Sequence, residues 1–87
     1  MRPSPDVVWR DLDGEAVLLD LSSGAYFGLN QVGTRIWQLL EAGRLPDQIA
    51  RTIVEEYDVD RPTAERDVAA LVDALVDRRL IRRDSPP

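Results

Sequence analysis

Leu19-Asp20-Leu21-Ser22-Ser23-Gly24-Ala25-Tyr26-Phe27-Gly28-Leu29-Asn30-Gln31-Val32-Gly33-Thr34-Arg35-Ile36-Trp37-Gln38-Leu39-Leu40 decides the fold, because the hydrophobic period changes within it from two to about 3.6 at Asn30. Before Asn30, Gly24 to Leu29 reads as an extended strand carrying two adjacent aromatics. After it, Val32, Ile36, Leu39 and Leu40 fall on one face with Trp37 beside them, which predicts a helix over about Gln31 to Ala42. Asn30 is a favoured N-cap, since its side-chain oxygen accepts from orphan backbone N–H groups, and Gly43 suits a left-handed stop. Gly33 weakens the helix near its start, and a close approach of helix to preceding strand is the physical reason to keep it there.

Toward the N-terminus, Val7 to Leu12 and Glu15 to Leu21 read as two more strands. Asp13-Gly14 between them accommodates the positive φ angles of a type I′ turn, whose twist matches an antiparallel hairpin. Ser22-Ser23-Gly24 supplies the second turn. Toward the C-terminus, Pro46 opens a second helix with Asp47 in its first turn and an apolar stripe of Ile49, Ile53, Val54 and Tyr57 running down to Asp58. Val59 separates it from a third helix, started by Asp60 and Pro62 and running through Thr63 to about Arg79, with Ala64, Val68, Leu71, Val72, Leu75 and Val76 at helical spacing. Leu80 and Ile81 complete the core, and Arg82 to Pro87 reads as a polar tail. The expectation is an α+β fold: a three-stranded antiparallel meander followed by three helices, winged helix-turn-helix-like, in one domain over 1–87 with an ordered core of about 7–81.

With 87 residues the chain holds one modest core, burying about 60% of its unfolded surface. It is 44% hydrophobic and 31% charged, and no apolar run approaches the length of a bilayer span. Met1 to Asp6 has no apolar stretch behind a basic start, so a cytoplasmic location without a secretory signal is expected. The sequence has no cysteine and no histidine, which removes thiol nucleophiles, disulfides, zinc and iron–sulfur sites and the usual general base. No catalytic residue, metal or cofactor is therefore expected. Glu55, Glu56, Asp58 and Asp60 cluster near the end of the second helix, but they lack the glycine-bearing calcium loop and read as a solvated face. A winged-helix DNA-binding regulator is the rival of a different class. It needs a basic recognition helix and wing, whereas the net charge is −5, Arg61, Arg66, Arg78 and Arg79 are opposed by Glu65, Asp67, Asp73 and Asp77, and the hairpin tip is Asp13-Gly14-Glu15.

A strand ending in Leu29-Asn30, Gly33 three residues on, and then Ile36-Trp37-x-x-Leu40 resembles the PqqD-like family, also called RiPP recognition elements, which act on ribosomally made peptides. Pro46-Asp47-Gln48-Ile49-Ala50, Tyr57-Asp58-Val59-Asp60, Arg66-Asp67-Val68-Ala69-Ala70-Leu71-Val72 and Leu80-Ile81 continue the resemblance in order, over roughly Val7 to Ile81. Within it, the segment from Gly24 through Tyr26-Phe27-Gly28-Leu29-Asn30 and the stand-alone length are most similar to the separate recognition subunit of lasso-peptide pathways, often called B1. The resemblance implies a non-enzymatic adaptor that captures the leader of a precursor peptide. The implied partners are that leader, a separate peptidase of transglutaminase-like cysteine-protease type and a cyclase, with neither nucleic acid nor membrane among them. A nearer rival keeps the fold and serves a radical enzyme in quinone-cofactor or thioether-peptide synthesis.

The mechanism the resemblance implies is strand addition, in which the leader pairs with the free edge of the third strand and packs side chains against the last helix. The backbone of Ala25, Tyr26, Phe27, Gly28 and Leu29 is then the expected ladder. At 100° per residue the last helix turns Val68, Leu71, Val72 and Leu75 toward the core and lines a flank with Asp67, Leu71, Ala74 and Arg78. Asp67, Leu71, Ala74, Leu75 and Arg78 complete the candidate peptide-binding set. Trp37 is expected in the core. Trp9, in the first strand, is expected to cover the outer face of the sheet or to touch a partner enzyme.

Overall fold

The computed structural model describes residues 2–82. Its elements are β1 (Arg2–Pro3), β2 (Val7–Leu12), β3 (Glu15–Asp20), β4 (Tyr26–Gly28), α1 (Gln31–Glu41), α2 (Pro46–Glu56), α3 (Arg61–Asp77) and β5 (Ile81–Arg82). The order β2-β3-β4, antiparallel throughout, is the expected meander, and the three helices follow it. Asp13 and Gly14 both have positive φ, 57° and 87°, as the two-residue turn between the directly paired Leu12 and Glu15 requires. Asp11 fastens this turn by accepting from the Gly14 amide at 2.6 Å.

Alternation sorts the sheet into two faces. Trp9, Leu18 and Phe27 are direct cross-strand neighbours on the inner face, where Leu18 is fully buried. Val8, Leu19 and Tyr26 form the matching row on the outer face. The inner row packs against α1 and α3 in a core that includes Ile36, Trp37, Leu40, Ile49, Ile53, Val68, Leu75, Leu80 and Ile81. Trp37 is fully buried, as its place on the apolar stripe predicts, and its indole Nε1 has no hydrogen-bond partner among the described residues. Such an orphan donor costs about 1–3 kcal/mol, which the burial of a whole indole offsets.

Local signals set the helix ends. Asn30 Oδ1 accepts from the Gly33 amide at 2.8 Å, and a Cβ on Gly33 would lie 3.2 Å from that oxygen and 3.4 Å from Leu29 side-chain atoms. The glycine thus lets α1 leave β4 in one tight step. Thr34, buried one residue later, accepts from the Ala16 amide at 2.8 Å and ties the helix to β3. Gly43 adopts φ 83° after α1, as expected. In α2, Gln48 reaches back to the Leu45 amide at 2.9 Å, and in α3 Asp60 accepts from the Thr63 amide at 2.9 Å. Arg35 of α1 holds Glu56 of α2 through two 2.8 Å bonds, and Arg61 reaches Asp47 at 2.9 Å and Glu65 at 3.4 Å.

Three expectations need correction. The N-terminal residues are not outside the fold: β1 pairs antiparallel with β5, Pro3 opposite Ile81 and Arg2 opposite Arg82. Ser4 reinforces the join through its amide to Leu80 O at 3.0 Å and its hydroxyl to Arg79 O at 2.7 Å. Arg82, expected in a polar tail, is therefore a strand residue, while residues 83–87 of that tail lie outside the described residues. Finally, Trp9 faces inward rather than outward, half-buried, with its Nε1 donating to Glu41 at 3.0 Å at the end of α1.

Candidate functional site

β4 is an open edge. Among the described residues its single strand neighbour is β3, and register decides which of its backbone groups remain free. The Ala25 carbonyl accepts from the Asp20 amide at 2.9 Å and the Leu29 amide donates to Ala16 O at 2.8 Å. Phe27 lies midway, opposite Leu18, so in an antiparallel ladder its N–H and C=O also point at β3. The outward amides and carbonyls are those of Tyr26 and Gly28. The expected five-residue ladder is corrected accordingly: Ala25, Phe27 and Leu29 bind the chain's own sheet, and Tyr26 and Gly28 are left to pair with something else.

Beside this edge runs a cleft of about 450 Å³ between β4, the start of α1 and α3. Phe27, Gly28 and Leu29 line it on the strand side, and Asp67, Ala70 and Leu71 line it on the helix side. Ile36 and Ile53 reach it from the core. Leu71 is half-buried and Asp67 exposed, as the flank reading requires. The Arg78 guanidinium sits 5.2 Å from the centre of the Phe27 ring, a cation–π contact that fixes it at the far end of the same flank. Ala74 is half-buried on this flank between them. Leu75, by contrast, is 0% exposed and belongs to the core, out of reach of any ligand. Sequence reasoning missed Ala70, Asn30, Val32 and Val59, which also line the cleft. Ala70 was accessible in principle, one helical turn from Asp67 on the same flank; Val59 was not, since only the α2–α3 packing brings its linker there.

A turn braces the entry to β4. The Asp20 carboxylate accepts from both the amide and the hydroxyl of Ser22, at 2.9 and 2.7 Å, and these bonds hold its pKa below the ordinary aspartate value. Gly24 follows with φ 77°. Of the clustered acids, Glu56 is held below its ordinary value by its bonds to Arg35, and Asp60 by the Thr63 side chain and amide at the α3 cap. Both therefore have structural partners. Among the described residues no group of three or more carboxylates is placed to hold a metal ion, and no helix is long and apolar enough to cross a membrane.

An edge with two free amide–carbonyl pairs and an apolar cleft on one side is suited to an extended peptide, the ladder giving affinity and the cleft side-chain choice. Comparison with known proteins agrees. No curated protein sequence matches the chain significantly. TbiB1, solved in complex with the TbiA(beta) leader peptide, is 46% identical with a TM-score of 0.90, the match covering 99% of this chain and 100% of that one. A lasso peptide synthetase B1 complexed with its leader peptide is 38% identical with a TM-score of 0.86, over 94% of this chain and 96% of that one. The family model described as coenzyme PQQ synthesis protein D (PqqD) matches residues 15–81, a stretch running from the second strand of the meander through all three helices to the closing strand, and the chain belongs to the PqqD family.

Proposed function

We infer that the chain binds the leader segment of a ribosomally synthesised precursor peptide by strand addition to β4 and presents it to a separate leader peptidase and cyclase in lasso-peptide biosynthesis. The observation that carries this is the pairing of an open β4 edge with the adjoining cleft lined by Phe27, Gly28, Leu29, Asp67 and Leu71. Two relatives of 46% and 38% identity, each solved with a leader peptide bound, support it. Tyr26 and Gly28 form the ladder, while Phe27, Leu29, Leu71 and Ala74 receive side chains and Asp67 and Arg78 bound the groove. In this reading the protein acts as one recognition domain over 1–87 in the cytoplasm, with no catalytic role of its own, in keeping with a sequence that has neither Cys nor His.

The family description, coenzyme PQQ synthesis, favours the quinone-cofactor arm of a second reading, service to a radical enzyme in quinone-cofactor or thioether-peptide synthesis. The near-complete matches to lasso proteins favour the first. Titration of the purified protein with the fluorescein-labelled TbiA(beta) leader peptide, a scrambled peptide and a DNA duplex tests the reading. Saturation by the leader alone is expected. Binding to the duplex and not to the leader would overturn it.

A further inference from the structure

We propose that the groove reads the direction of the peptide by charge, selecting a strand with a basic side chain toward its N-terminus and an acidic one about four residues later. The inference rests on the strand-addition reading and adds to it an order of residues. Asp67 and Arg78 occupy opposite ends of the groove-facing flank of α3. Asp67 lines the cleft beside β4, and no hydrogen bond or ion pair engages it among the described residues. Arg78 rests on the Phe27 ring, and no carboxylate pairs with it among the described residues. Two other helix cations are held by acids, Arg35 by Glu56 and Arg61 by Asp47 and Glu65, and of the rest Arg78 is the one seated on an aromatic ring at the β4 edge. In a chain of net charge −5, an arginine left without an acid at the end of an open groove is a free valence for an anion. A second cavity at the same end of α3 is charge-balanced, with Arg79 and Arg82 facing Asp6 and Asp20, so the unmatched positive charge of the groove end is that of Arg78.

Direction follows from the packing. Before β4, Asp20 and Ser22 share a cavity with Arg79 at the end of α3, and Phe27 meets Arg78; beyond β4, Asn30 and Gly33 share the cleft with Asp67 and with Val59 ahead of α3, so β4 and α3 run in opposite senses along the groove. A strand added antiparallel to β4, the more stable pairing, runs in the same sense as α3 and meets Asp67 first and Arg78 last. The two side chains originate roughly 16 Å apart along the axis at about 1.5 Å per residue, which an extended strand covers in about five residues. Positions four apart point to the same face and lie within reach of both flexible side chains. A purely structural role at the helix dipole is open to Arg78, the C-cap of α3, and not to Asp67, which lies beyond the first turn where the effect is confined. That role affects stability and is blind to the order of charges in a peptide.

The test uses two versions of the TbiA(beta) leader peptide. One carries Lys and then Glu at strand positions four apart that face α3, and the other carries Glu and then Lys. Each is titrated against the full chain and against the double charge-swap variant Asp67→Arg/Arg78→Glu, with circular dichroism confirming that both fold. Exposed ion pairs contribute about twofold to threefold each, so the native chain should prefer the Lys-first peptide by about fivefold. The swapped variant should prefer the Glu-first peptide by a similar factor, and both preferences should fade in about 1 M salt. Equal affinity of the native chain for the two peptides, or a preference that the swap does not invert, overturns charge reading and leaves strand addition intact. Failure of the native chain to bind either version overturns strand addition with it.

Discussion

The sheet has two open edges, and they are built differently. At β2 the outward backbone positions are Val7, Trp9 and Asp11, because Asp6 is hydrogen-bonded to Leu21 across the ladder and the alternation follows from there. The Val7 amide already donates to Ser4 O at 3.1 Å, and the Asp11 carboxylate is held by the Gly14 amide. On the inner side of this edge Trp9 lies toward α1 and is tied to Glu41. At β4 the strand is only three residues long, Tyr26 is 72% exposed, and the inner side opens into the cleft against α3. Unpaired main-chain groups are common to both edges. What separates them is whether the neighbouring side chains close the inner face or leave a receptacle beside it, and a binding edge needs both a ladder and a pocket.

The largest effect is expected from filling the pocket. Leu71→Arg places a long charged chain in the cleft and should weaken leader binding by about a hundredfold, about 2.7 kcal/mol, read by fluorescence anisotropy with circular dichroism to exclude unfolding. Next comes the ladder. Proline is tolerated where an edge amide faces outward, so Tyr26→Pro should fold and lose about tenfold in affinity, a figure set by one lost hydrogen bond and local crowding. Phe27→Pro removes an amide that faces β3 and should instead melt the strand. Were Tyr26→Pro to bind normally and Phe27→Pro to fold, the assignment of outward groups would be reversed.

At the closed edge the prediction changes in kind. Trp9→Phe removes the bond to Glu41 and part of the indole and should cost about 1 kcal/mol of stability in urea unfolding, with leader affinity unchanged. A smaller gain is expected at the end of α3. Arg79 adopts φ 61°, and its amide bonds Val76 O while the Leu80 amide bonds Leu75 O, so it occupies the left-handed stop that glycine fills without strain. Arg79→Gly should stabilise the fold by about 0.5–1 kcal/mol in the same assay.

Smallest are the effects of exposed charge. Asp20, Glu56 and Asp60 all have pKa values lowered in the fold, from ordinary values of 3.8, 4.5 and 3.8. A lowered folded pKa contributes stability that is complete above the ordinary value and is lost as pH falls through it toward the folded one. Thermal unfolding should therefore be insensitive to these groups at neutral pH and weaken below about pH 4.5. Asp60→Asn, which keeps the α3 cap without its charge, should remove part of that acid sensitivity. The Asp20 contribution bears on the comparison directly, because its turn carries the chain into β4.

The meander, the three helices and their caps were legible because each depends on neighbours in sequence: Asp13-Gly14 on its own φ angles, Asn30 on the Gly33 amide, Asp60 on the Thr63 amide. The cleft was half legible. Asp67 and Leu71 follow from helical spacing, whereas Leu75, on the boundary of the same stripe, turned out to be wholly core, since a rotation of a few tens of degrees about α3 decides its fate. The β1–β5 pair was hidden, because two-residue strands carry no period and their partners lie at opposite ends of the chain. Trp9 was misplaced because the face of a strand depends on its register against the next, which a one-residue slip inverts. The same dependence on register conceals which β4 amides are free.

Amide hydrogen exchange, measured residue by residue with and without the TbiA(beta) leader peptide at saturation, tests strand addition at β4 most directly. Tyr26 and Gly28 should become strongly protected on binding, while Trp9 and Asp11 at the other edge keep their rates. Saturable binding with Tyr26 and Gly28 unprotected, or with protection appearing along β2 instead, would contradict the account.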